Sequence, residues 1–183
     1  MKQITKTKEE LNRILQQHQL WLNSDGVKGE RANLRGGDLR DLRHTKLCYA
    51  NLNDANLEGA NLQGADLQDA DLQEADLQYT DLQGADLRHA DLEGADLQGA
   101  NLQGANLRNA YLQDANLQDA NLLGADFRYV DLWNADLRRA RFDVNICDCY
   151  SFYDAKFTPD ALPWLILHPG WPEWKDTVQI ETE

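Results

Sequence analysis

Ala85-Asp86-Leu87-Arg88-His89, Ala90-Asp91-Leu92-Glu93-Gly94, Ala95-Asp96-Leu97-Gln98-Gly99 and Ala100-Asn101-Leu102-Gln103-Gly104 follow one another without a gap. Each unit is Ala, then Asp or Asn, then Leu, then two variable residues. Neither the 3.6-residue stripe of an amphipathic helix nor the two-residue alternation of a strand reproduces a strict five. An Ala and a Leu two residues apart lie on the same side of an extended segment, so the Asp or Asn between them faces water. The two variable residues make a corner. One unit alone buries neither its Ala nor its Leu; stacking of successive coils gives them a core.

The pattern extends in both directions. The large apolar position recurs at Leu47, Leu52, Leu57 and every fifth residue to Leu122. It continues through Phe127, Leu132, Leu137, Phe142, Cys147, Phe152 and Phe157, about 23 units in all. The small position is Ala50, Ala55, Ala60 and onward, with Thr80 and Val130 as variants, until Asn145 and Tyr150 depart from it. Those two are too large for a tight site, which predicts a wider or distorted last coil. A second period of twenty, in Gly64, Gly84, Gly104 and Gly124 and in Arg88, Arg108 and Arg128, predicts four sides per coil. Gly at the last corner position suits a turn with φ above zero.

This consensus resembles that of the bacterial pentapeptide-repeat family, abundant in cyanobacteria, over roughly residues 32–159. The resemblance implies an all-β solenoid: a right-handed, quadrilateral parallel β-helix with four pentapeptides per coil. It says little of function. A few members resemble B-DNA in size and charge and act on DNA gyrase, and such members are commonly dimers joined through the C-terminal end.

A solenoid needs its ends covered. Thr7-Lys8-Glu9-Glu10 has the form of a capping box, and Leu11, Ile14, Leu15, His18 and Leu22 follow at helical spacing. This predicts a capping helix near residues 8–23, closed by Gly26. His18 reads as a buried-edge or spacer residue rather than a ligand. The expected organisation is residues 1–31 as capping helix and lead-in, 32–159 as β-helix, and 160–183 as C-terminal cap or tail. In the last segment, Trp164, Leu165, Trp171 and Trp174 read as a cap over the core or as a dimer or partner surface. Between Leu39 and Leu47 the frame slips, since Leu39 and Leu42 are three apart. A short bulge at residues 40–44 would absorb the slip, either as a tolerated corner insertion or as a partner-contact loop.

The formal net charge is −13 over 183 residues. That disfavours direct binding to nucleic acid or anionic lipid and suits a basic protein partner. No stretch has the apolar length of a signal peptide core or of a membrane span, and three cysteines make no disulfide framework. The expectation is a soluble, cytoplasmic, reduced protein. No nucleophile elbow, zincin or phosphate-loop motif occurs, and the repeated Asp residues read as a solvated wall without a cleft. Cys147-Asp148-Cys149 lacks a second ligand pair, so burial accounts for Cys147 better than a metal does. We therefore expect no enzyme activity, cofactor or metal.

The informative surface is a run of Asp66, Asp71, Asp76, Asp81, Asp86, Asp91 and Asp96. From Leu47 to Leu87 there is no Lys or Arg, and nine carboxylates are present. Two coils span on the order of 10 Å, over which B-DNA carries about six charges. The leading expectation is a non-catalytic protein-interaction scaffold with these aspartates as partner-binding residues. The alternative is an acidic DNA mimic that modulates a type II topoisomerase, DNA gyrase.

Overall fold

The computed structural model describes residues 8–34, 39, 42–142, 152, 154–159 and 178–180. Helix α1, Lys8–Leu22, is followed by a continuous stack of short parallel bridges. From Lys46↔Asp66 onward each bridge joins residues twenty apart, through Asn121↔Arg141 and Asp136↔Lys156. Four pentapeptides therefore complete a coil. We name the four sides for their leucines at 47, 52, 57 and 62, and assign to each side the two corner residues that follow its leucine.

The backbone donors of one unit explain why the repeat has five residues. In the five residues 66–70, Asp66 N–H donates to Thr45 O one coil back at 2.9 Å. Leu67 N–H donates to Asp86 O one coil on at 2.7 Å, and Asp69 N–H to Arg88 O at 2.9 Å. Ala70 N–H turns back to Leu67 O at 3.1 Å, closing the corner as a β-turn. The fifth donor, Gln68 N–H, is taken by the side chain of Asp66 through Oδ1 at 3.3 Å. Nothing is left unpaired, as a buried stack requires. The Asp or Asn of the consensus is thus a turn-forming residue as well as an outward one, and its side chain is half-buried rather than fully exposed.

The interior is the column of leucines with the alanines between them. Leu47 through Leu122, Phe127, Phe152 and Phe157 are all buried, as are the alanines at the small position. Thr80 sits in one of those small sites with its hydroxyl donating to Leu57 O at 2.9 Å. Each fully buried leucine contributes roughly 1.5–3 kcal/mol, so this column dominates stability.

The second corner residue has φ near +55° to +70° throughout the stack. Asp, Asn, Glu, Tyr, His and Arg adopt it as well as Gly: Asp69, Glu74, Tyr79, His89, Asn109 and Arg139 are examples. The turn alone therefore does not account for the glycine column 64, 84, 104, 124. At Gly64 there is a further reason, because the His44 ring lies where a Cβ would go.

The N-terminal part corrects one expectation. Asn33 pairs with Asn51, eighteen residues on rather than twenty. Leu39 N–H donates to Asn56 O and Leu42 N–H to Asn61 O, so these two leucines occupy successive sides although only two residues separate them. Both are buried. The frame slip is a deficit of two residues in the first coil rather than an insertion.

Helix α1 packs over that coil with Leu11, Ile14 and Leu15 partly buried against the core and His18 fully buried. The expected N-cap, Thr7, lies outside the described residues. After the helix, Gly26 (φ 83°) donates its N–H to Trp21 O at 2.9 Å, closing the turn. A Cβ on Gly29 would run into the Gln17 carbonyl oxygen, so only glycine lets the chain pass this close to the helix. At the other end, strand β1, Lys156–Phe157, pairs in parallel with β2, Gln179–Ile180. Residues 179–180 thus add a rung beyond the last consensus unit.

Candidate functional site

The seven aspartates of the run 66–96 occupy the same backbone position on successive sides. Asp66 pairs with Asp86, Asp71 with Asp91 and Asp76 with Asp96, as the twenty-residue stack predicts. Asp81 lies between Asn61 and Asn101. The run therefore encircles the rod almost twice, and no flat partner can touch all seven. In each, Oδ1 accepts the N–H two residues on, for example from Gln73 to Asp71 at 3.3 Å and from Gln98 to Asp96 at 3.1 Å. Amide donors relieve the stacked like charges. Gln73 Nε2 donates to Asp91 Oδ2 at 2.8 Å and Asn116 Nδ2 to Asp96 Oδ1 at 2.9 Å. Asp86 receives the Arg88 guanidinium, whose hydrogen bonds hold its carboxyl below the usual range.

The four sides differ in charge, which the linear sequence hides. The Leu52 side carries Asp54, Asp71, Glu74, Asp91, Glu93, Asp114 and Asp131 over units 50–54 to 130–134, with no Lys or Arg. The Leu62 side carries one carboxylate, Asp81, over units 60–64 to 120–124. On the Leu47 side the expected arginine column is present. Arg88 and Arg128 fold back onto Asp86 and Asp126. Arg108 follows Asn106 instead of an aspartate, and its Nε is buried without a hydrogen-bond partner. On the Leu57 side, Arg138 pairs with Asp136 and Arg139 with Asp119. Asp126 and Asp119 are held below the usual carboxylate range by hydrogen bonds from Arg128 and Arg139.

Other residues singled out in the sequence fall as follows. Trp164, Leu165, Trp171, Trp174, Asn145, Tyr150, Cys147, Cys149 and His168 lie outside the described residues. Cys48 is a free, half-buried thiol whose pKa is pushed up by burial and by the Asp66 carboxylate. His18 is structural: Ala32 N–H donates to its Nδ1 at 3.1 Å, and its ring stacks on Trp21 with centroids 5.8 Å apart. Among the described residues no group of three His, Cys, Asp or Glu side chains could hold a metal ion. No described helix is long and apolar enough to cross a membrane. Sequence reasoning passed over Tyr111 and Trp133, two exposed aromatic residues on the Leu52 side. Their signal was available: Tyr111 stands at an Asp or Asn position and Trp133 at a corner position occupied by Gln in units 70–74 and 110–114.

The chain matches the family described as Pentapeptide repeats, in eight copies over residues 30–64, 41–73, 70–109 and 105–143. It is 46% identical to a pentapeptide-repeat protein of the cyanobacterium Cyanothece, with 50% of this chain and 62% of that one covered and a TM-score of 0.49. It is 32% identical to one from Nostoc, with 78% and 86% covered and a TM-score of 0.40. A third, from the Arabidopsis thaliana thylakoid lumen, is 35% identical, with 51% and 68% covered and a TM-score of 0.42. The chain thus spans about three-fifths of the Cyanothece protein's length. No curated protein matches it.

Proposed function

The chain belongs to the pentapeptide-repeat family, and from that premise we propose that it is a non-catalytic scaffold that binds a basic protein partner through its ordered carboxylates. One observation carries this reading. Asn serves the turn as Asp does: Asn101 Oδ1 accepts from Gln103 N–H at 3.3 Å and Asn116 Oδ1 from Gln118 N–H at 3.1 Å. The fold therefore does not need charge at this position. Yet three pairs of aspartates are stacked directly on one another, one strand spacing apart. Such like-charged neighbours oppose folding modestly, and binding accounts for their retention.

The test is capture of partners from a lysate of the source cell, identified by mass spectrometry, with the native chain and a variant in which Asp66, Asp71, Asp76 and Asp81 are all changed to Asn. These four residues place one carboxylate on each side of a single coil. The variant should fold at least as stably at neutral pH and lose the partner. If it captures the same partner with the same salt response, the aspartates only solubilise the rod. We place this binding in the cytoplasm, which fractionation of the source cell checks.

A second reading, an acidic DNA mimic acting on DNA gyrase, is favoured by the way the aspartate run surrounds the rod. The near-neutral Leu62 side and the arginine column weigh against it. A supercoiling assay with purified gyrase decides: inhibition or protection at stoichiometric protein supports mimicry, and no effect rejects it.

A further inference from the structure

The Leu52 side joins its unbroken acidity to two exposed aromatic residues. Tyr111 is 50% exposed and lies directly between Asp91 and Asp131 in the stack. Trp133 is 46% exposed and follows Asp131 on the next coil. Tyr111 replaces the turn-forming Asp or Asn, and a phenol at this position cannot reach the N–H two residues on. Of the three other exposed rings among the described residues, Tyr49 meets the Trp21 ring edge-on, Tyr79 lies against Gly99, and Tyr129 belongs to the Leu47 side.

Gln113 adds an independent observation. It is two residues from Tyr111, and Trp133 is stacked on it one coil further along, as the bond from Asp114 N–H to Trp133 O requires. Its Nε2 donates to Asp131 Oδ2 at 2.9 Å, while its Oε1 is shielded and accepts no hydrogen bond. The Gln113 amide thus fixes the Asp131 carboxylate beside Tyr111, its neighbour in the stack.

We infer that the Leu52 side around Tyr111 and Trp133 is a docking surface for an arginine- or lysine-bearing segment of another protein. The cations stack on the two aromatic faces and pair with Asp91, Asp114 and Asp131. This rests on the scaffold reading and narrows it to one side. Charge complementarity selects a foreign cationic segment over a second copy of this chain. The net charge is −13, and Arg88, Arg128, Arg138 and Arg139 are already folded onto their own aspartates.

The experiment measures binding of a fluorescein-labelled octa-arginine peptide to the full chain by fluorescence anisotropy at fixed salt. Three variants are compared with the native protein, each first shown to be folded by thermal melting. Tyr111→Asn with Trp133→Gln restores repeat-type residues at both positions, so folding is preserved. Asp91→Asn with Asp131→Asn removes two carboxylates from the Leu52 side, and Asp76→Asn with Asp96→Asn removes two from the Leu57 side. The first two variants should each bind about fivefold or more weakly, the size expected for one partly desolvated cation–aromatic contact or charge pair. The Leu57-side variant should change by less than about twofold, as for exposed charges away from the contact. The inference is overturned if the native chain does not bind the peptide. It is equally overturned if the aromatic variant binds as well as native, or if the two aspartate variants lose equally. The scaffold reading is judged separately, by whether the native chain captures a salt-sensitive partner from the lysate, because the four-aspartate variant leaves Asp91, Asp114 and Asp131 in place.

Discussion

The residue before each leucine holds the corner and sets the charge, and substitution separates the two roles. Asp71→Asn keeps an oxygen for Gln73 N–H and should fold at least as stably at neutral pH. Asp71→Ala removes the acceptor and should cost about 0.5–1.5 kcal/mol by denaturant unfolding. At the inward position, Leu97→Ala should cost about 2–5 kcal/mol. Leu97→Asp should abolish folding, because a charge in the leucine column has no partner. A soluble Leu97→Asp protein with native melting would contradict the register. The leucine and alanine columns were legible because a strict five admits one inward pair. The turn bond was not read, although Asx turns at corners supply the signal. The half-burial of these aspartates follows from that bond.

The elements at the two ends were legible to different degrees. Helix α1 announces itself by its apolar spacing, and it lies where expected. Its docking depends on His18, buried with Nδ1 accepting from Ala32 and with a pKa lowered mainly by burial. The nearby Arg31 charge lowers it further, while the Cys48 backbone acts in the opposite direction. The unfolded chain therefore takes up the proton first. Stability from this contact is complete above the ordinary histidine value of 6.5 and is lost as pH falls through the lower folded value. Melting temperature should drop between pH 7 and pH 5, and His18→Asn should flatten that window. An equal drop in the variant would assign the effect elsewhere. A chain beginning at Ala32 should lose stability and associate end to end on sedimentation, because its first coil exposes unpaired backbone. The deficit between Leu39 and Leu42 was visible as a three-residue step, but spacing alone did not tell a shortened coil from a bulge. The rung at Gln179–Ile180 carries no consensus residue and was not legible.

At the scale of the whole molecule, the linear sequence presents an acidic belt, and the fold re-sorts it by side. Residues five apart go to different sides and residues twenty apart to the same one, so the Leu52 side gathers seven carboxylates and the Leu62 side one. That sorting required the register, whereas Tyr111 and Trp133 were readable from their outward and corner positions in the repeat. The central claim is that this charge exists to bind. Its most direct measurement is the affinity of the captured partner as a function of salt, for the native chain and for the variant with Asp66, Asp71, Asp76 and Asp81 changed to Asn. Binding by the native chain should weaken steeply as salt rises, and the variant should bind more weakly with a shallower dependence. Equal affinities with equal salt dependence would contradict it.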